Sequence, residues 1–266
     1  MNISQKYGKV ALVAGASEGL GAAYSEALAR QGCDLILVAR RKDRLEDASQ
    51  KIRERYNVNV TAISCDLSDA DATGKVIQGI GTHVDFMVYN AAASYIGPYL
   101  DLPADEHVRI ASANMVTPLR MVHHFGGSMM KKGKGGIVLM SSLAGMQGSG
   151  FVATYAATKA FNLVLAESLW YEWKKKGVDI MGCVAGVTST PNFLNTRPGR
   201  VGLIGPQIQK PEDVVIECLN KIGHAPSFIS GGGNRLASYF MRHFVSRKKA
   251  IAIISDATRK MYNINY

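Results

Sequence analysis

Ser142, Tyr155 thirteen residues later, and Lys159 four residues beyond that are three side chains able to exchange protons or hydrogen bonds with an oxygen. Residues four apart in a helix share one face, so Tyr155 and Lys159 can converge on a single substrate-sized point. A free phenol, with a pKa of about 10, is a poor proton shuttle at neutral pH. A neighbouring ammonium favours the phenolate and lowers that pKa. The set could therefore pass a proton to or from the oxygen of a carbonyl or alcohol, with Ser142 donating to the charge that develops there. Taken singly, Ser142 also reads as a turn residue and Tyr155 as a packed aromatic.

A second group suits a phosphate-bearing ligand. The segment Ala14-Gly15-Ala16-Ser17-Glu18-Gly19-Leu20-Gly21 follows an apolar run and opens a helical pattern. Glycines there permit a tight turn and close approach of the backbone to a diphosphate, with a helix N-terminus facing the charge. The second apolar run ends in Val38-Ala39-Arg40-Arg41, where an acid would accept hydrogen bonds from a ribose 2′-hydroxyl. Guanidinium instead pairs with a 2′-phosphate, so Arg40 as primary clamp, assisted by Arg41 or Ser17, predicts NADP(H) over NAD(H). A solvated pair opening a charged helix is the alternative.

These residues need elements to hold them. Apolar runs at residues 10–13, 35–39, 58–64, 86–89, 137–141, 180–184 and 227–229 predict about seven strands. Helical patterns lie between them at 22–30, 42–56, 71–80, 106–132 (one helix or two), 155–176 and 212–222. Strands that read as continuous Val/Ile/Leu runs are buried on both faces. The expected fold is a doubly wound, Rossmann-type α/β domain over residues 1–266, a parallel sheet with helices on both faces.

The spacing Gly-x-x-x-Gly-x-Gly, with Ser142 and Tyr155-x-x-x-Lys159, resembles that of the short-chain dehydrogenases/reductases, and the resemblance runs along nearly the whole chain. Cys65-Asp66-Leu67 is similar to the family's adenine-contacting element, and Asn90-Ala91-Ala92-Ala93 to its Asn-Asn-Ala-Gly element. Ala185-Gly186-Val187-Thr188-Ser189-Thr190 resembles its Pro-Gly-x-x-x-Thr segment. Ala14, Ala93 and Ala185 depart from the family's threonine, glycine and proline, changes that bear on local backbone and leave every catalytic position in place. The resemblance implies an oxidoreductase moving a hydride between NADP(H) and a carbonyl or secondary alcohol. It implies Asn114, Ser142, Tyr155 and Lys159 as catalytic, with Asn114 organising a water chain to the lysine. It implies a cofactor site of Gly15, Ser17, Glu18, Gly19, Leu20, Gly21, Arg40, Arg41, Asp66, Leu67, Asn90, Tyr155, Lys159, Thr188 and Thr190. Asp66, Asn90 and Asn114 also read as a helix cap, a turn residue and a helix cap. Family members assemble through the helices around 114–132 and 155–176, which implies a homodimer or homotetramer with Trp170, Tyr171 and Trp173 at an interface or in the core. A non-catalytic NADP(H)-binding sensor of the same fold is the rival reading.

Composition narrows the setting. No apolar run approaches the roughly 18 to 20 residues of a membrane span, and no signal-peptide pattern precedes the glycine turn, so a cytoplasmic protein is expected. Cys33, Cys65, Cys183 and Cys218 show no ligand spacing, and His123 and His124 point apart on a helix, so no metal is expected. The formal charge of +10 concentrates in residues 231–266, where seven basic residues face one acid. That segment interleaves its charge with Leu236, Tyr239, Phe240, Phe244, Ile251 and Ile254. A helix packing its apolar face on the core fits this pattern first, an amphipathic surface for anionic lipid or an anionic substrate second, and nucleic acid least. Residues 188–210 read as a substrate lid with Phe193, Leu194, Val201 and Leu203 for apolar contact and Arg197 or Arg200 for a carboxylate. Ser94, Tyr95 and Gln147 are placed on the opposite wall. Such a lid suits a steroid, bile acid or acyl chain, although the resemblance also admits sugars, quinones and small ketones.

Overall fold

The computed structural model describes residues 2–81, 83–196 and 208–265. Its frame is a seven-stranded parallel sheet in the order β3-β2-β1-β4-β5-β6-β7. The strands are β1 Val10–Ala14, β2 Asp34–Ala39, β3 Val60–Ser64, β4 Phe86–Tyr89, β5 Gly135–Ser142, β6 Val178–Ala185 and β7 Ser227–Ile229. All seven fall where the apolar runs predict them. β5 starts two residues early, at Gly135 and Gly136, which carry no side chain for a hydropathy pattern to register.

The helices are α1 Ile3–Lys6, α2 Gly19–Arg30, α3 Lys42–Tyr56, α4 Ala72–Gly79, α5 Ala104–Ala111, α6 Thr117–Lys132, α7 Ala153–Trp173, α8 Pro191–Asn195, α9 Pro211–Lys221, α10 Gly232–Phe244 and α11 Arg247–Met261. Side chains alternate across the sheet, so each strand feeds two cores. Ala11, Val13, Leu35 and Leu37 pack on one face with α2, α3 and α9. Leu12, Ile36, Val38 and Ile137 pack on the other with α4, α6 and α7. Each fully buried Leu, Ile or Phe contributes about 1.5–3 kcal/mol, which makes this double burial the main support of the frame.

The expected 106–132 helix is one continuous run, α5 and α6, joined by a π-helical turn at Ser112–Val116 that contains Asn114. Asn114 therefore caps nothing.

The C-terminal segment differs from its first expectation. α10 buries only Asn234, and Leu236, Tyr239, Phe240 and Phe244 are exposed. Their side chains do not pack on the core because the opposite face of α10, at Ala237, Ser238 and Met241, is the one turned to the body, where it lines a cavity. Ile251 and Ile254 of α11 are half-buried as the pattern anticipates.

Candidate active site

The strand order reverses between β1 and β4, and ligands in such sheets bind beyond the carboxyl ends at that switch point. Two turns meet there. Gly15 leaves β1 with φ +82°, and a Cβ on it would fall 2.7 Å from the Ala91 backbone leaving β4. A Cβ on Gly21 would sit 1.9 Å from the Gly15 carbonyl oxygen. Only hydrogen at both positions lets α2 close onto the turn with its N-terminus toward the space above, a cradle that fits a diphosphate. Asn90 donates from Nδ2 to the Gly15 carbonyl at 3.2 Å and so ties the two turns together.

Beside this cradle stands a cluster of arginines. Arg41 pairs with Glu18 at 2.7 Å and Arg44 with the other oxygen of the same carboxylate at 2.8 Å. Arg40 is the open member, its side chain 72% exposed and 3.8 Å from Asp66. Asp66 Oδ1 accepts from the Ser68 amide and hydroxyl at 2.9 and 2.7 Å. Burial works to raise the Asp66 pKa, but those bonds, with Arg40 and Arg109 nearby, hold it below the ordinary carboxylate range. Asp66 thus closes a turn and faces the cavity at once.

At the end of β5 successive side chains point to opposite sides. The buried Ser141 hydroxyl donates to the Lys159 carbonyl at 2.7 Å and fixes α7 against the strand. Ser142 turns the other way and hydrogen-bonds the Tyr155 phenol. Lys159 is 3% exposed. Its ammonium donates to the Met140 carbonyl at 2.9 Å and lies 5.6 Å from the Tyr155 ring centroid. Burial pushes the Lys159 pKa down to about 8.

The expected lowering of the Tyr155 pKa is not what the protein's own groups produce. Burial raises it, the Ser142 hydrogen bond works to lower it, and the Tyr262 phenol raises it again. The ammonium that was to stabilise a phenolate is directed at Met140, and burial disfavours its charge.

Asn114 stands behind these groups, fully buried. It accepts from the Ala93 amide at 2.7 Å, donates to the Ala93 carbonyl at 2.8 Å and donates to Thr158 Oγ1 at 3.0 Å. Thr158 in turn donates to the Tyr155 carbonyl at 2.8 Å. The π-helical turn also frees the Asn114 carbonyl to accept from Asn162 at 3.0 Å.

The catalytic and cofactor-binding residues expected from the sequence border one cavity of about 1690 Å³, except Gly21 and Asn114, which support it from behind. Ser94, Tyr95, Gln147 and Phe193 line it too. Leu194 is exposed, while Arg197, Arg200, Val201 and Leu203 lie outside the described residues.

A family model described as short chain dehydrogenase matches residues 9–200. The chain belongs to the short-chain dehydrogenase family. This dehydrogenase is 31% identical over 243 residues to a 7beta-hydroxysteroid dehydrogenase of Mediterraneibacter gnavus, covering 88% of this chain and 90% of that one. It is 33% identical over 240 residues to the 7beta-hydroxysteroid dehydrogenase of Collinsella aerofaciens, with the same coverages. A solved structure from work on 7beta-hydroxysteroid dehydrogenase stereoselectivity superposes with TM-score 0.89 at 30% identity, covering 96% of this chain and 99% of that one.

Two features of the dehydrogenase's site escape a reading of the sequence. Arg44, on α3, joins Arg41 on the Glu18 carboxylate beside the cavity. Arg109, 3.6 Å from Asp66, arrives from α5 with no local signal. The basic segment, for which core packing is the first expectation and an anionic lipid or substrate the second, builds a wall through α10 and α11, with Met241, Arg242, Arg247, Ile254, Met261 and Tyr262 on the cavity. Ser255 of α11 anchors that wall by accepting from the Gly150 amide at 2.8 Å, and Tyr262 reaches Thr196 beyond α8.

Proposed function

We propose that this dehydrogenase uses NADP(H) to interconvert a ketone and a secondary alcohol on a steroid-like substrate carrying an anionic group. The observation that carries the proposal is the shared cavity. Small-ligand pockets run about 300–1,000 Å³, and at about 1690 Å³ this one has room for a dinucleotide and a second molecule beside Tyr155. Its far wall, with Met241, Val245, Ile253 and Ile254, suits fused apolar rings. Arg242 and Arg247 border the same wall. The ion pairs of residues 231–265, among the described residues, are Arg235–Glu217 and Arg259–Asp256, which leaves both guanidiniums available to a carboxylate or sulfonate.

The Gly15–Gly21 turn and the α2 N-terminus would hold the diphosphate, Asp66 and Leu67 the adenine side, and Thr188 and Thr190 the carboxamide side. Arg40 would take the 2′-phosphate, with Arg41 and Arg44 held beside it by Glu18. When bound, NADPH supplies the hydride that reduces the carbonyl carbon. Ser142 donates a hydrogen bond to the substrate oxygen, and Tyr155 delivers the proton. Burial keeps the phenol protonated at neutral pH, which favours its role as donor. Lys159, in its charged form, supports the phenolate left behind, and Asn114 positions Tyr155 through Thr158. Residues 1–266 act as one catalytic unit, with residues 188–210 as lid and residues 231–266 as the outer wall. We read the protein as cytoplasmic and as a homodimer or homotetramer through α6 and α7, where Tyr171 and Val164 are exposed.

The test is a panel of steroid ketones and alcohols, with and without a side-chain carboxylate, followed by the change in NADPH absorbance. Turnover that is faster for the carboxylated members and weakened by Arg242→Ala/Arg247→Ala supports the reading. Silence across the panel despite tight NADPH binding would instead favour a cofactor-binding sensor.

A further inference from the structure

The two faces of α10 serve different neighbours. One lines the cavity, while Leu236, Phe240 and Phe244, four residues apart, form an outward stripe with Tyr239 beside it. Exposure reaches 60% for Leu236, 55% for Tyr239, 53% for Phe240 and 70% for Phe244. The ring contacts of these aromatics stay within α10: Phe240 and Phe244 are 5.3 Å apart between centroids, Tyr239 is 6.3 Å from each, and Tyr239 packs on His243 at 4.3 Å. Monomeric proteins rarely leave such a contiguous apolar patch bare.

The charge beside the stripe identifies its neighbour. The elbow joining α10 to α11 carries Lys248 and Lys249, exposed and outside the cavity lining, beside Arg242 and Arg247, which are exposed but also border the cavity. None of the four has a carboxylate partner among the described residues. Parallel two-fold pairing of α10 on α10 would bring this charge against its own copy. An anionic surface would neutralise it. Aromatic residues flanked by lysine and arginine on a strongly amphipathic helix are the features of a helix that lies in a lipid headgroup layer.

We propose that the outward face of α10 and the α10–α11 elbow dock on an anionic lipid membrane. No described helix is long and apolar enough to cross one, so the contact is peripheral. Met241, Val245 and Ala250, on the inner side of the same elbow, line the catalytic cavity. Docking therefore sets the cavity mouth at the lipid surface, where an apolar substrate partitions. The membrane contact itself holds whatever that substrate is.

The experiment is co-sedimentation of the full chain with vesicles of phosphatidylcholine containing roughly one-third phosphatidylglycerol, against pure phosphatidylcholine, across ionic strength. The full chain is expected to sediment with the anionic vesicles and to be released as salt rises. Lys248→Glu/Lys249→Glu and Phe240→Ser/Phe244→Ser are each expected to weaken binding by at least about tenfold. Both pairs are exposed and outside the cavity lining, so NADPH binding by each variant in the absence of lipid should match that of the parent and certify folding. No sedimentation with anionic vesicles at low salt, or binding unchanged in both variants, overturns the proposal. So does a fall in molar mass by light scattering for Phe240→Ser/Phe244→Ser, because a second copy would then be what covers the stripe.

Discussion

The Lys159 ammonium sits 5.6 Å from the ring centroid of Tyr155 yet donates its hydrogen bond to the Met140 carbonyl of β5. Burial governs both members of this pair. It holds the phenol in its protonated form and makes the ammonium easy to discharge.

A pH dependence follows from Lys159. Its pKa in the folded protein is about 8 against an ordinary 10.5, so the charge that supports Tyr155 is present below about 8 and lost above it. The rate of carbonyl reduction should fall as pH rises through about 8, and Lys159→Arg, which keeps its charge, should remove that fall in whatever activity it retains. The stability sign is opposite. The unfolded chain binds the proton more tightly, so charging Lys159 opposes folding at neutral pH, and the penalty disappears as pH rises from about 8 toward 10.5. Lys159→Met should therefore be more stable than the parent at pH 7 when no cofactor is present, by up to about 3 kcal/mol, and so melt at a higher temperature, while losing activity. Thermal melts at neutral and alkaline pH check this.

Arg40 is the arginine of its cluster that no carboxylate holds close, Arg41 and Arg44 being tied to Glu18. Arg40→Asp should lower kcat/KM with NADPH relative to NADH by about 10- to 100-fold, the worth of one charge-assisted hydrogen bond. Steady-state kinetics with both cofactors measure it. An unchanged ratio would move the 2′-phosphate away from Arg40.

Asn114 satisfies both main-chain polar groups of Ala93 and reaches Thr158 on α7. Asn114→Ala would remove the partner of the part-buried Ala93 amide and carbonyl, at a cost of about 1–3 kcal/mol. Because Thr158 hydrogen-bonds the Tyr155 carbonyl, kcat should drop more than KM for NADPH changes. Denaturant unfolding beside steady-state kinetics separates the two effects.

Burial on both faces made the strands legible, since every position from Ala11 to Ala14 must be apolar when helices cover each side of the sheet. The glycine turn was legible because its function is the lack of a side chain, a property the sequence states outright. The pKa of Tyr155 was not. A four-residue spacing places Lys159 on the same helical face but says nothing of whether its ammonium turns to the phenol or to Met140, nor how deeply the pair is buried. The cavity's outer wall was hidden for a related reason. α10 carries apolar side chains on both of its faces, so its periodicity does not say which face turns inward, and the packing of α11 against the Gly148–Gly150 loop is a long-range contact with no local signal.

The central claim is that the Tyr155 phenol protonates the substrate oxygen beside bound NADPH. The direct test is to measure NADPH affinity and steroid-ketone reduction side by side for the parent and Tyr155→Phe. Cofactor binding is expected to stay close to that of the parent and turnover to be about 10²- to 10⁴-fold lower, the usual worth of a general acid. Comparable turnover in Tyr155→Phe would contradict it.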